Sequence, residues 1–289
     1  MNTFDAVLRG IKNFRYDEYK TYVKNNNGSI SNPIETKKLF DFFRNEEIYD
    51  NLIVGVSGDA GNIVDSNNRV ERVFDMGKYR NNATQTNNTQ KPILTSSKYS
   101  YDGQDDFMLI PNHSSLNSMN SLTIVSWFKP FDGGIDTRKT LIMKAYTSHT
   151  APFYQWFILT RHNRGANSHS INSQAADSND IIRSSSLQID LSILYNQWHC
   201  YVGVVEEDGT LKSYLNGVLL GENTDGVGSY SGSIANYNTP VEIGSYPNLA
   251  KNSTNCYGGL LNDIFVFDKY LTSTQIQDLF NLTKGKYGF

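Results

Sequence analysis

The chain has 289 residues, 38% of them hydrophobic, enough to bury the core of one large β domain or two smaller ones and too many for a disordered chain. Charged residues make up 19%, below the roughly 25% usual in soluble domains, so the surface must rely on Asn, Ser, Thr and Gly. A net charge of −3 offers nothing that draws nucleic acid or an anionic membrane, and Cys200 and Cys256, the only two cysteines, exclude a disulfide framework as the main source of stability.

The first stretch, MNTFDAVLRGIKNF, lacks a basic start followed by an apolar segment, and no run of about 18 apolar residues occurs in the chain. The expectation is a protein made in a cytoplasm and not inserted into a membrane. Phe4, Val7, Leu8 and Ile11 recur at helical spacing. Leu39, Phe40, Phe42 and Phe43 crowd a second helical segment that starts just after Pro33, and the polar turn KNNNGSISNP lies between the two. Residues 1–50 therefore read as a short helical N-terminal arm, separate from a β domain over 51–289.

From Leu52 the pattern changes to strands. LIVGVS is a short apolar run ended by GDAGN, and Val70 and Val73 alternate with charged neighbours ahead of the loop YRNNATQTNNTQKP. SLTIVSWFKP, TLIMKAY, YQWFILT, SLQIDLS, QWHCYVGVV, LKSYLNGVLLGE, PVEIGSY and GGLLNDIFVFD follow, each a strand or strand pair. Together they predict a mainly β, two-sheet antiparallel sandwich. Asn216-Gly217 supplies the two positive-φ residues of a type I′ hairpin turn. Thr272 with Gln275 forms a capping box ahead of an apolar face of Ile276, Leu279 and Phe280, which predicts a short C-terminal helix.

The ordered set DGQDDFMLIP, SLTIVSWFKP, NQWHCYVGVV, LKSYLNGVLL, VEIGS and GGLLNDIFVFDKYLTSTQIQDLF resembles the concanavalin A-like jelly roll of the laminin-G-like type over about residues 100–282. RVFDMGKYRNNATQTNNTQKPIL resembles a segment that precedes this domain in tailed-bacteriophage virion proteins, with Met76 and Lys78 departing from its Ser and Asn, and FNLTKGKYGF resembles the ending of such proteins. The resemblance implies a non-catalytic virion component: a head fibre, capsid decoration or tail appendage, assembled in the host cytoplasm. Its arm would dock on other capsid or tail proteins and its sandwich would meet host-surface glycan, as a monomer or a homo-oligomer. A carbohydrate-binding module of a non-virion protein is the alternative, and a divergent glycosidase a third. The family match also implies that Trp127 and Trp198 are core residues.

Candidate chemistry is sparse. Asp105 and Asp106 lie where a loop enters a strand, the setting of carboxylates that accept from turn amides. Because related jelly rolls hold calcium between early and late strands, the same two residues with Asp263 from the last strand are the expected Ca2+ ligands if a cation is bound. Glucanases of this fold carry paired carboxylates on one strand, and no Glu-x-Asp-x-Glu arrangement exists here. Glu206, Glu207 and Asp208 sit at a predicted hairpin turn, and Glu242 alternates with Val241 and Ile243 as an outward-facing residue. The histidines lack metal spacing, and Cys200 reads as a small buried hydrophobe. The expectation is no catalysis. For sugar stacking the candidates are Tyr154, Trp156, Arg161, His162 and Arg164, with core packing the competing role for Trp156.

Overall fold

In chain order the described residues form strands β1 Ser29–Ile30, β2 Leu52–Val56, β3 Gly61–Val64, β4 Val70–Val73, β5 Ala83–Thr84, β6 Ile93–Thr95, β7 Lys98–Asp102, β8 Met108–Ile110 and β9 Leu122–Pro130. The rest are β10 Arg138–Ala145, β11 Tyr154–Asn163, β12 Ser168–Ala176, β13 Ile182–Asp190, β14 His199–Val205, β15 Leu211–Leu215, β16 Val218–Asn223, β17 Val241–Ile243 and β18 Gly258–Phe267. Helices are α1 over residues 15–25, α2 Pro33–Asn45 and α3 Ser273–Thr283. This computed structural model describes residues 15–117, 119–131, 138–145, 154–163, 168–179, 181–190, 194–223, 232–247, 251–253 and 255–289.

Two antiparallel sheets build the sandwich. One runs β1-β3-β4-β5-β8-β17-β10-β11-β12-β13, and the other runs β16-β15-β14-β9-β18-β7-β6, with β2 also paired to β18. The inter-sheet core holds Tyr99, Phe128, Trp156, Tyr201 and Tyr257. The outer face of the second sheet is covered too: Val125, Trp127, Cys200, Phe265 and Phe267 pack with α1, α2 and α3. Strands buried on both faces lose apolar-polar alternation, which is why LTIVSWFKP and HCYVGVV read as almost continuous apolar runs.

The local signals hold where they were specific. Asn216 (φ 52°) and Gly217 (φ 81°) make the β15–β16 turn. Thr272 and Gln275 form the capping box of α3, and α2 begins at Pro33 with Asn32 accepting from the Glu35 amide. The helical segment at residues 4–11 lies outside the described residues.

The separation of residues 1–50 from the sandwich does not appear in the described part of that segment. Tyr16, Tyr19 and Val23 of α1 and Leu39, Phe40 and Phe43 of α2 share one cluster with Phe265 and Phe267, Phe43 meeting both rings at 5.1 and 5.7 Å. β1 pairs with β3, and the Tyr19 hydroxyl donates to the Phe74 carbonyl while accepting from the Gly61 amide. The aromatics that suggested an arm are instead the lid of a second core.

Trp127 is fully buried and stacked on Tyr287 at 3.9 Å. Trp198 is only half-buried at the margin of that cluster, its ring 4.7 Å from Tyr287. A core tryptophan costs about 3–5 kcal/mol when truncated. The marginal position of Trp198 predicts a smaller loss for Trp198→Ala, about 1–2 kcal/mol by the area it leaves exposed. Chemical denaturation checks this, and a loss of core size would place the ring deeper than its contacts do.

Candidate functional site

Trp156, expected either in the core or under a sugar, is 0% exposed within the inter-sheet core and offers no face to a ligand. Tyr154, Arg161 and His162 are placed by backbone register alone, opposite Ala145, Arg138 and His169. Arg164 lies outside the described residues.

The acidic candidates separate. Asp102, Asp105 and Asp106 bring one carboxylate oxygen each to within 4.8 Å of one another. It is Asp102 whose carboxylate takes the turn amides of Gln104, Asp105 and Asp106, while Asp106 returns a bond by accepting from the Asp102 amide at 3.0 Å. Asp263 is not with them. β18 pairs Gly258 with Asp102, and Asp263 lies five residues further along that strand, about 16 Å at strand rise.

Asp263 sits instead at a bulge where β18 passes from β7 to β2, with φ 43°. Bulges re-aim a side chain, and this one turns the carboxylate inward. There it accepts from the Ser57 hydroxyl and from the Tyr287 hydroxyl at 2.8 Å. Lys286 Nζ lies 2.6 Å from both Asp263 Oδ2 and Asp59 Oδ2. Between these carboxylates an ammonium fills the role that the sequence reading assigned to calcium.

Two further expectations change. Glu242 points inward, buried, and pairs with Lys251 Nζ at 2.6 Å, because β17 is sandwiched between β8 and β10 and has no solvent edge. Burial, aided by Asp102, pushes the Asp106 carboxyl up to about 7. Its folded pKa thus exceeds the ordinary 3.8, so the folded state retains a proton that the unfolded chain gives up, and stability falls as pH rises from about 4 to 7. Asp106→Asn should flatten that part of a Tm-against-pH curve and match or exceed the wild type at pH 8. An unchanged slope would show Asp106 to be ionised throughout.

Other readings hold. Glu206 lies at the β14–β15 turn, paired with Lys212 at 2.7 Å. His113 is exposed, and the Cys200 thiol is buried and pushed up by that burial.

The site that sequence reasoning missed is a groove on the ten-stranded sheet. Its first hollow, about 340 Å³, is lined by Arg72, Tyr79, Arg80, Asn82, Asn112 and His113, among others. Its second, about 700 Å³, includes Asn26, Asn27, Gln85, Asn88 and Lys91. Arg72 and Thr84, cross-strand partners on β4 and β5, line both hollows and join them. Tyr79 is 38% exposed, with the His113 ring 5.9 Å away. An accessible aromatic ring beside amide and hydroxyl groups is an arrangement suited to a ligand that is apolar on one face and rich in hydroxyls on its edge.

The walls are held firmly. Asn81, between Arg80 and Asn82, donates to the Ile53 carbonyl and the Ser115 hydroxyl, tying the Tyr79 loop to the His113 loop. Asn112 accepts from buried Lys144 at 2.7 Å and donates to Asn238 at 2.7 Å. His113 accepts from the Ser115 amide.

No curated protein matches the chain in sequence. Among solved structures it is similar to the binding domain of Paraclostridial Mosquitocidal Protein 1 (TM-score 0.59, 14% identity, 81% of this chain and 52% of that one). It is also similar to the botulinum neurotoxin serotype D ligand-binding domain in complex with N-acetylneuraminic acid (0.53, 16%, 81% and 52%) and to the serotype G binding domain (0.56, 14%, 81% and 51%). At such identities the likeness is one of fold, and the chain spans about half the length of each. The family described as the concanavalin A-like lectin/glucanases superfamily, laminin-G type, matches residues 102–277, and with the two-sheet antiparallel sandwich this establishes that the chain belongs to that superfamily.

Proposed function

We propose that the chain is a non-catalytic, lectin-like module that binds surface glycan in the groove floored by Tyr79. The observation that carries this reading is the exposed Tyr79 ring beside His113 in a hollow walled by Asn82 and Asn112. Sugars present C–H faces that stack on such rings and hydroxyls that the flanking amides bind. Among the described residues, no carboxylate lines this end of the groove, whereas glycoside hydrolysis needs an acid and a nucleophile or base flanking the bond. The three solved structures named above are binding domains, one of them in complex with a sugar acid.

The test is binding to an immobilised glycan panel, with Tyr79→Ala as the control. Retention of at least one glycan, weakened about tenfold or more by the substitution (1.4 kcal/mol), supports the reading. Binding that is indifferent to Tyr79, or release of reducing sugar by the protein, overturns it.

The finer reading, a tailed-bacteriophage head fibre, decoration or tail appendage, is supported by the two stretches around Asp75 and Lys286 that resemble virion proteins. Labelled antibody against this chain should decorate purified particles, and particles free of the chain would remove that assignment.

A further inference from the structure

Arg72 lies at the junction of the two hollows, and it is a charge in the groove that no described residue balances. Its neighbour Glu71 is taken by Lys91 at 2.9 Å. Among the described residues no carboxylate pairs with Arg72, whose guanidinium lies 5.8 Å from the Phe74 ring centroid. In the Tyr79 hollow the other charged lining residue has the same sign. Arg80 stands in the same hollow, stacked 4.7 Å from the Tyr22 ring, with buried Asp75 behind it as a partial counter-charge. Lys144, 0% exposed, stands behind Asn112 and, among the described residues, donates to neutral acceptors, Asn112 Oδ1, Tyr237 O and Thr239 O. The Tyr79 end of the groove is thus electropositive in a protein whose net charge is −3, and clefts with low-dielectric walls focus such a field on what enters them.

We infer that the groove selects a glycan bearing a carboxylate, with the carboxylate seated on Arg72 and an adjoining sugar ring laid on Tyr79. A planar guanidinium with no carboxylate partner among the described residues is the side chain suited to bidentate carboxylate binding. The inference rests on the glycan reading above and adds to it the class of sugar and the residue that selects it. Sialic acids and uronic acids present the same carboxylate, so both belong in the test.

The experiment measures binding of sialyllactose, trigalacturonate and lactose to the full chain, the Arg72→Gln variant and the Tyr79→Ala variant by calorimetry, with thermal melts confirming that each variant is folded. At least one acidic sugar should bind tenfold or more tightly than lactose, and Arg72→Gln should erase that preference. Which acidic sugar is preferred separates the two sources. Lactose bound as tightly as both acidic sugars, or a preference that survives Arg72→Gln, overturns the role of Arg72 while Tyr79-dependent lactose binding keeps the glycan reading. Failure of both acidic sugars to bind overturns the inference, while the glycan panel decides the glycan reading on its own.

Discussion

Replacing Asp75 with alanine should cost about 3–5 kcal/mol and loosen the groove with it. The fully buried carboxylate accepts from three backbone amides, Gly55 at 2.7 Å, Gly77 at 2.9 Å and Asn81 at 2.8 Å. An orphaned buried donor costs about 1–3 kcal/mol, and alanine orphans all three. The close approach is fixed on the other side too, since a Cβ on Gly77 would meet the Leu52 carbonyl at 2.5 Å. Asp75→Asn should lose roughly half as much, because Oδ1 still serves Gly55 and Gly77 while the new amide faces the Asn81 N–H.

Burial, against these three amides, pushes the Asp75 carboxyl up to about 6. Being raised above its unfolded value, it contributes a stability that declines as pH climbs from about 4 to 6, a decline the asparagine variant should lack. The knot also anchors the loop that carries Tyr79, so under the proposed function Asp75→Ala should weaken glycan binding beyond what its melting point explains. Denaturant midpoints for the two variants that match the wild type would show that water replaces the carboxylate without loss.

The fold was legible because its strands are both numerous and strongly patterned. LTIVSWFKP, HCYVGVV and NDIFVFD carry enough apolar residues to be strands under any register, and Asn216-Gly217 leaves little choice of turn. What the helices cover was not legible. Phe40 and Phe43 have the helical spacing of any amphipathic segment, and only the burial of Phe265 and Phe267 on the outer sheet face identifies their partner. The groove was hidden for a related reason. Arg72, Tyr79 and His113 lie on one strand and two loops that become neighbours through the β4–β5–β8 pairing, and no local period links them. The faint signal was the polar run YRNNATQ, which read only as a loop. Asp263 reads from the sequence as a calcium ligand with Asp105 and Asp106, whereas its charged partner is Lys286, 23 residues downstream in the same chain.

That partner supports the second large effect. Lys286→Met should cost about 3–5 kcal/mol, the usual penalty for breaking a buried pair from one side, because Asp59 and Asp263 would lose their counter-charge in a site with almost no solvent access. Burial alone would lower the Lys286 pKa, yet Asp263 and Asp59 outweigh it and hold the ammonium above its usual range. A folded pKa raised above 10.5 means that this contribution is complete below that pH and is lost as pH rises through the higher folded value. The wild type should therefore lose stability at strongly alkaline pH by a step that Lys286→Met does not show. Adding Asp59→Asn and Asp263→Asn to Lys286→Met should recover more than half of the loss, since the cost lies in the unpaired charges and not in the missing methylenes. Lys286→Ala offers a sharper discrimination: with the ammonium gone, the two carboxylates and the Ser57 hydroxyl present oxygens suited to a hard cation, and millimolar calcium should raise its Tm. If Lys286→Met melts with the wild type, or if the triple variant is no better than the single one, the triad is a surface pairing and the buried-charge argument fails.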